Sequence, residues 1–295
     1  MKFEKSNANF LGIKNPLIQN TKAIILPYGL ENTTSYGVGT KSGPKAILKA
    51  SRQLELYDDF YNNEPQKNIG IITAKLEKPP SKNREAIHRI EKLISEILKL
   101  NKFPFMLGGE HTITAGAINA FAKKYEEIIV IQFDAHTDLR QEYQNNIYSH
   151  ACTMRRCLDN ENIKLLSIGI RSSSIEEVAY LNKNKKRINI YWAKDKNNWE
   201  LKEIIKFIKN KKTYITFDLD CFDPSLMPAT GTPEPGGLFW DETLDILMRI
   251  CSNSNVIGAD INELSPIKNF QSCDFLAAKL CYKILSFVFN TRKKL

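Results

Sequence analysis

The sequence predicts an α/β fold in which a mainly parallel sheet of about eight strands carries helices on both faces. Eight short runs of apolar and β-branched residues recur along the chain, and amphipathic helical patterns separate most of them. No Pro/Gly/Ser-rich linker, internal repeat or low-complexity tract divides the 295 residues. One domain, residues 1–295, is therefore the simplest account.

The first expected strand is 23–26, an uninterrupted apolar run of the kind that is buried on both faces in a parallel sheet. A second is expected at 68–72. Residues 84–100 then read as a helix, with Ile87, Ile90, Leu93, Ile94, Ile97 and Leu98 at helical spacing. Strand 103–107, helix 113–124 and strand 128–133 follow. Further strands are expected at 165–168, 188–191, 213–217 and 256–261, and further helices at 174–183, 200–210, 241–252 and 274–289. The Gly/Pro-rich stretch 29–44 and the stretch 223–237 read as long loops, which in compact domains are often functional.

A hydrophobic content of 42% is that of a globular chain with a sizeable core, which argues against disorder. No apolar run is long enough to span a membrane, and residues 1–5 lack a secretory signal, so a cytoplasmic protein is expected. The net charge of +9 comes from scattered lysines whose densest clusters, at 183–187 and 209–212, are short. A solvated surface is expected and nucleic acid is not a partner. The six cysteines show neither a CxxC pair nor regular spacing, so reduced, mostly buried thiols are expected.

The chemistry follows the strands. Strand 103–107 runs into Gly108-Gly109-Glu110-His111, and 128–133 into Asp134-Ala135-His136-Thr137-Asp138. Strand 213–217 runs into Asp218-Leu219-Asp220, and 256–261 into Asn262-Glu263. Ligands collect at the carboxyl ends of strands in open α/β sheets, so these segments can converge on one rim. If the tips stay extended, alternate residues point the same way, and Asp134, His136 and Asp138, like Asp218 and Asp220, act together. With His111 they offer four carboxylates and two imidazoles, too many for one first-row ion and about right for two. Each signal alone is weak: Asp-Ala-His marks a turn or cap more often than a ligand set, and Gly-Gly marks a tight turn. Their joint occurrence, with two of the four histidines, His111 and His136, directly after strands, points to a metal centre. His88 lies inside a helical pattern and reads as a surface or packing residue. The donor set suits Mn2+, with Fe2+, Co2+ or Ni2+ as alternatives, better than a structural zinc that would use thiolates. The side chain of Cys221 should point away from the pair it follows.

These stretches, with Thr33-Thr34-Ser35-Tyr36, Gly39 and Gly43-Pro44, Ser149-His150-Ala151-Cys152-Thr153-Met154-Arg155-Arg156, Gly231-Thr232-Pro233-Glu234-Pro235-Gly236-Gly237 and Asp260-Ile261-Asn262-Glu263-Leu264-Ser265-Pro266, resemble the arginase/agmatinase (ureohydrolase) family over nearly the whole chain. The likeness is greatest to agmatinase. It implies a three-layer α/β/α sandwich with two Mn2+ per subunit, one held by His111 and Asp138, the other by His136 and Asp220, and Asp134 and Asp218 bridging them. Glu110 stands where many relatives carry aspartate and is expected to support the site. The resemblance further implies a homo-oligomer, a trimer or hexamer.

The activity implied is hydrolysis of a small cationic guanidine by a metal-bridging hydroxide, with Asp138 as proton relay, His150 as proton shuttle to the departing amine, and Glu263 pairing with the guanidinium. The loop 139–148 does not resemble the arginase loop that holds an α-carboxylate. Agmatine, cut to putrescine and urea, is therefore the expected substrate, and Glu142 the expected partner of its distal ammonium. N1-aminopropylagmatine, guanidinobutyrate, arginine and guanidine are alternatives, as are formiminoglutamate cleavage and a non-catalytic binding role on the same fold. Formiminoglutamate would need cations for two carboxylates, and only Arg140, Arg155 and Arg171 lie near in sequence.

Overall fold

A computed structural model describes residues 9–291. Residues 1–5, read above for a secretory signal, lie outside the described residues. In chain order the elements are β1 (Ala23–Tyr28), α1 (Gly43–Ser51), α2 (Pro65–Ile69), β2 (Ile71–Thr73), α3 (Asn83–Lys99), β3 (Phe103–Gly108), α4 (Ile113–Ala122), β4 (Ile128–Phe133), α5 (Thr153–Leu158), β5 (Ile163–Ile170), α6 (Ile175–Lys183), β6 (Ile188–Trp192), α7 (Leu201–Ile208), β7 (Lys212–Asp218), α8 (Trp240–Asn253), β8 (Asn255–Asn262) and α9 (Ser272–Thr291). The eight strands form one sheet in the order β2-β1-β3-β8-β7-β4-β5-β6, and every pairing is parallel.

Alternate strand residues feed two cores, as the two-residue period of a strand requires. Ile25, Phe105, Ile131 and Ile215 face a layer containing Ile47 of α1, Leu247 of α8 and Leu280 of α9. Ile24, Met106, Val130 and Tyr214 face the opposite layer, with Ile90 of α3, Ile118 of α4 and Cys157 of α5. This is the three-layer α/β/α arrangement. All six residues of β1, β3 and β4 are buried, which explains their almost wholly apolar sequence; Gln132 of β4 is buried with its own hydrogen bonds. The face of α3 read from the spacing of Ile87, Ile90, Leu93, Ile94, Ile97 and Leu98 is the buried one. Burying each such side chain fully stabilises the fold by about 1.5–3 kcal/mol.

Three local expectations are corrected. Asn68 and Ile69 belong to α2, where Pro65 opens the helix; Gly70 at φ 62° ends it, and the strand begins only at Ile71. Gly43 and Pro44 open α1 instead of closing a loop, because Pro fits the first turn of a helix. Thr153–Leu158, not read as helical, forms α5. The six cysteines are buried thiols outside any disulfide. Among the described residues no helix is long and apolar enough to cross a membrane.

Candidate metal centre

The middle of the sheet is the contiguous set β3-β8-β7-β4, and its carboxyl ends carry His111, Glu263, the pair Asp218 and Asp220, and the trio Asp134, His136 and Asp138. The turn after β3 can be made only by glycines. A Cβ on Gly108 would stand 2.0 Å from Asn262 Oδ1, and one on Gly109 would stand 1.9 Å from the carbonyl oxygen of Leu30. Close passage of the chain at this turn carries His111 inward, where it is 1% exposed.

The tips after β4 and β7 do not stay extended, which corrects the alternation expected from sequence. Asp138 has φ 51°, and Leu219–Cys221 form a 3₁₀ turn. Instead, Asp134 Oδ1 accepts the amide of His136 at 2.6 Å, and Asp218 Oδ1 accepts the amide of Asp220 at 3.0 Å. Each carboxylate thus staples the backbone two residues on and leaves its other oxygen for the centre. Cys221 turns away, its sulfur 3.7 Å from the carbonyl oxygen of Ile168.

Two clusters result. His111 Nδ1 lies 3.1 Å from Asp134 Oδ2, 3.1 Å from Asp138 Oδ2 and 3.4 Å from Asp218 Oδ2. His136 Nδ1 lies 2.9 Å from Asp220 Oδ2 and 3.7 Å from Asp134 Oδ1. The sets His111, Asp134, Asp218 and Asp134, His136, Asp220 each bring one donor atom per residue within 4.8 Å of one another, and Asp134 belongs to both. His111 Nδ1 is buried and has no hydrogen-bond partner although three carboxylate oxygens surround it. A lone pair aimed at carboxylates is satisfied by a cation between them, and an imidazole-carboxylate set without thiolate fits first-row divalent ions. The residues present fit two such ions sharing Asp134.

The electrostatics agree. Burial disfavours charge on His111, yet Asp134, Asp138 and Asp218 raise it well above the usual imidazole value. Burial likewise opposes charge on His136, but Asp220 and Asp134 carry it up to about 12. Burial and then the neighbouring Asp134 charge push the carboxyl of Asp138 up to about 7, and burial with Asp220 and Asp134 raises Asp218. So many carboxylates in one dry space require added positive charge.

Behind His111 is a polar network that sequence reading did not single out. His111 Nε2 is 2.7 Å from Thr216 Oγ1, which donates to Asp260 Oδ1 at 2.6 Å. Asp260 also accepts from Tyr214 Oη at 2.7 Å, Thr114 Oγ1 at 2.9 Å and Asn262 Nδ2 at 2.6 Å. Gln132 Nε2 supports Asp134 Oδ2 at 2.8 Å. Arg171 was weighed only as a cation for substrate carboxylates. Its guanidinium instead donates to the carbonyl oxygens of Gly169, Asp220, Cys221, Phe222, Glu234 and Pro235, tying the Asp220 turn to the 231–237 loop. Its only sequence signal was its place just after a strand.

A cavity of about 240 Å³ opens over the clusters, lined by His136, Asp138, Asp218, Asp220, Glu263 and His150, with walls from 34–37, 172–174 and Gly231-Thr232. Glu263, at φ 66°, accepts the His111 amide at 2.6 Å through Oε1; burial and then the nearby Glu110 charge raise its carboxyl. His150 also lines the cavity, its amide donating to Thr33 Oγ1 at 3.1 Å, and burial lowers its imidazole below the usual value. Glu142 is exposed and is not among the residues that line the cavity. Tyr143 pairs back with Asn146, so Tyr143 reaches the cavity wall while its neighbour stays in solvent.

A family model described as the Arginase family matches residues 21–286. The chain is 37% identical over 280 residues to the N(1)-aminopropylagmatine ureohydrolase of Synechocystis sp., an alignment covering 92% of this chain and 90% of the relative. It is 33% identical over 272 residues to an agmatinase of Bacillus cereus, covering 90% and 92% respectively. The crystal structure of agmatine ureohydrolase of Thermoplasma volcanium superimposes with a TM-score of 0.84 at 29% identity, over 100% of this chain and 97% of that one. Formimidoylglutamase from Bacillus subtilis gives 0.79 at 25% identity, over 91% and 88%.

Proposed function

The chain belongs to the arginase family of amidine-cleaving, binuclear-metal hydrolases, and from that premise we propose that it cuts the guanidinium group of agmatine, releasing urea and putrescine. The observation that carries this reading is the pair of histidine-carboxylate clusters sharing Asp134 at the base of an acidic cavity. His111 and Asp138 would hold one ion, His136 and Asp220 the other, with Asp134 and Asp218 between them. The donor chemistry favours Mn2+, ahead of Fe2+, Co2+ or Ni2+. When bound, the pair supplies a water acidified to hydroxide near neutral pH and the positive charge that four aspartates balance.

The protein's own residues do the rest. Glu263, fixed through Oε1 by the His111 amide, orients a planar guanidinium by charge-assisted hydrogen bonds from the cavity wall. Asp138, which reaches the cavity from the tip after β4, takes up and returns a proton at its oxygen. His150, with its charge disfavoured by burial, accepts a proton and passes it to the departing amine, which leaves only when protonated.

The charge lining the cavity favours a cationic substrate without a carboxylate. With the aspartates balanced by the ions, Glu177 and Glu263 remain in the lining and face a single guanidinium, Arg140, which already lies 3.9 Å from Glu177 and 5.2 Å over the Tyr143 ring. Arg155 stacks on Tyr180 at 3.6 Å, and the backbone carbonyls noted above engage Arg171. None of the three is free to receive the two carboxylates of formiminoglutamate. The identity to the Synechocystis relative favours N1-aminopropylagmatine as the second reading.

The test is urea release by Mn2+-loaded protein over agmatine, N1-aminopropylagmatine, guanidinobutyrate, arginine and guanidine. Agmatine is expected to give the highest kcat/KM. Preference for another guanidine would replace the substrate and keep the chemistry, whereas no urea from any member would overturn the ureohydrolase reading.

A further inference from the structure

Glu110 is completely buried beside His111, and its carboxylate gathers donors from two segments far away in sequence. Oε2 accepts the amides of Asn32 at 2.8 Å and Thr33 at 2.7 Å; Oε1 accepts Thr33 Oγ1 at 3.0 Å and Asn83 Nδ2 at 3.1 Å. Both side chains then reach the segment that bears His150. Thr33 Oγ1 accepts the His150 amide at 3.1 Å and lies 3.4 Å from its Nδ1, while Asn83 Nδ2 donates to the carbonyl oxygen of Tyr148 at 2.7 Å.

The chain before this segment is largely in solvent at Gln141, Glu142, Gln144 and Asn145, and touches it through the Arg140 amide, which donates to the carbonyl oxygen of Ala151, and the edge of Tyr143 against His150. The other end of the brace matters equally. Thr33 leads directly into Thr34-Ser35-Tyr36-Gly37, which forms a second wall of the cavity and in which Tyr36 is 85% exposed. One carboxylate therefore ties together two cavity walls, and it does so from the rigid carboxyl end of β3.

We propose that Glu110 is a positioning residue which, through Thr33 and Asn83, sets His150 and the 34–37 wall over the cation centre. This rests on the reading of His150 as the group that passes a proton to the departing amine. A shift of about 1 Å in such a group costs up to about 100-fold in rate. The Thr33 hydroxyl bonds both Glu110 and the His150 amide, so Thr33→Val cuts that arm of the brace with little change of volume.

The experiment combines a double-mutant cycle in the Mn2+-loaded protein with amide hydrogen exchange. Thr33→Val is expected to lower kcat with agmatine about 10- to 100-fold with KM within about threefold, and Thr33→Ser to recover most of the loss. In a His150→Asn background the same Thr33→Val change should cost less than about twofold, since coupled residues are non-additive. Exchange of the His150 amide should quicken at least about tenfold in Thr33→Val and in Glu110→Gln. An equal loss in both backgrounds, or unchanged exchange at His150, would overturn the inference. A wild type inert toward every guanidine would fail the proposed function instead, and the exchange result would still decide whether the brace exists.

Discussion

His111 Nε2 lies 2.7 Å from Thr216 Oγ1, and the same hydroxyl donates to Asp260 at 2.6 Å, so the Thr216 oxygen can accept only a ring N–H. This fixes the proton of a neutral His111 on Nε2 and leaves the Nδ1 lone pair facing Asp134, Asp138 and Asp218. Thr216→Val removes the constraint. The expected result is a 10- to 100-fold weaker affinity for one Mn2+, on the order seen when such supporting partners are lost, with the fold retained. Titration calorimetry of the metal-free protein checks it; two unchanged affinities would rule the role out.

Glu263 acts on substrate in this account, not on the ions. Glu263→Gln keeps the size and an oxygen acceptor but removes the charge that meets the guanidinium. kcat/KM for agmatine should fall by about 100-fold or more while metal content stays at the wild-type level. Steady-state kinetics beside metal analysis of the same sample separates this from a ligand defect, which would lower both.

The Arg171 guanidinium is a structural clasp, bonded at 2.6 Å to the carbonyl oxygen of Asp220 and at 2.8 Å to that of Glu234. Lysine cannot reproduce its planar fork. Arg171→Lys should destabilise the fold by about 2 kcal/mol and speed exchange across 231–237, because several carbonyls lose charged donors together. Chemical denaturation with an unchanged midpoint would contradict the clasp.

Asp223 supplies a pH-dependent contribution at the same loop. The Ser225 hydroxyl, against some opposition from burial and helped by the amides of Ser225, Gly236 and Gly237, lowers its carboxyl from 3.8 to about 2. A depressed acid stabilises the folded state fully above its unfolded value and loses that contribution as pH falls through the folded one. Asp223→Asn should therefore be less stable than wild type at pH 7, with the gap closing between about pH 4 and about pH 2. Paired thermal melts over that range test it, and a gap that widened on acidification would refute it.

Much of the fold was legible because a strand buried on both faces must be almost wholly apolar, as 128–133 is apart from Gln132, and a helix over a sheet must repeat its apolar face, as α3 does. What escaped were elements governed by single residues. Pro65 turned part of an expected strand into α2, and Pro44 opened α1 where its glycine neighbour suggested a loop. At the candidate site, the acids and histidines after β3, β4 and β7 could be named from sequence, but not how the chain gathers them. Left-handed Asp138 and the turn at Leu219–Cys221 do what strand alternation was expected to do. Thr216 and Asp260 sit inside apolar strands, where a small polar residue has no periodic signature until its buried partner is known. The direction of Glu142 was not legible either, because the sign of a charge says nothing of where it points; the turn at 143–146 brings its neighbour Tyr143 to the cavity wall.

The most direct test is metal content and urea release from agmatine measured together for the wild type and Asp134→Asn, since Asp134 alone belongs to both clusters. Two Mn2+ per wild-type chain with urea formed, and fewer than two with turnover lowered at least about 1,000-fold in the variant, is the predicted outcome. Full turnover by a variant that keeps both ions, or by a wild type holding none, would contradict the account.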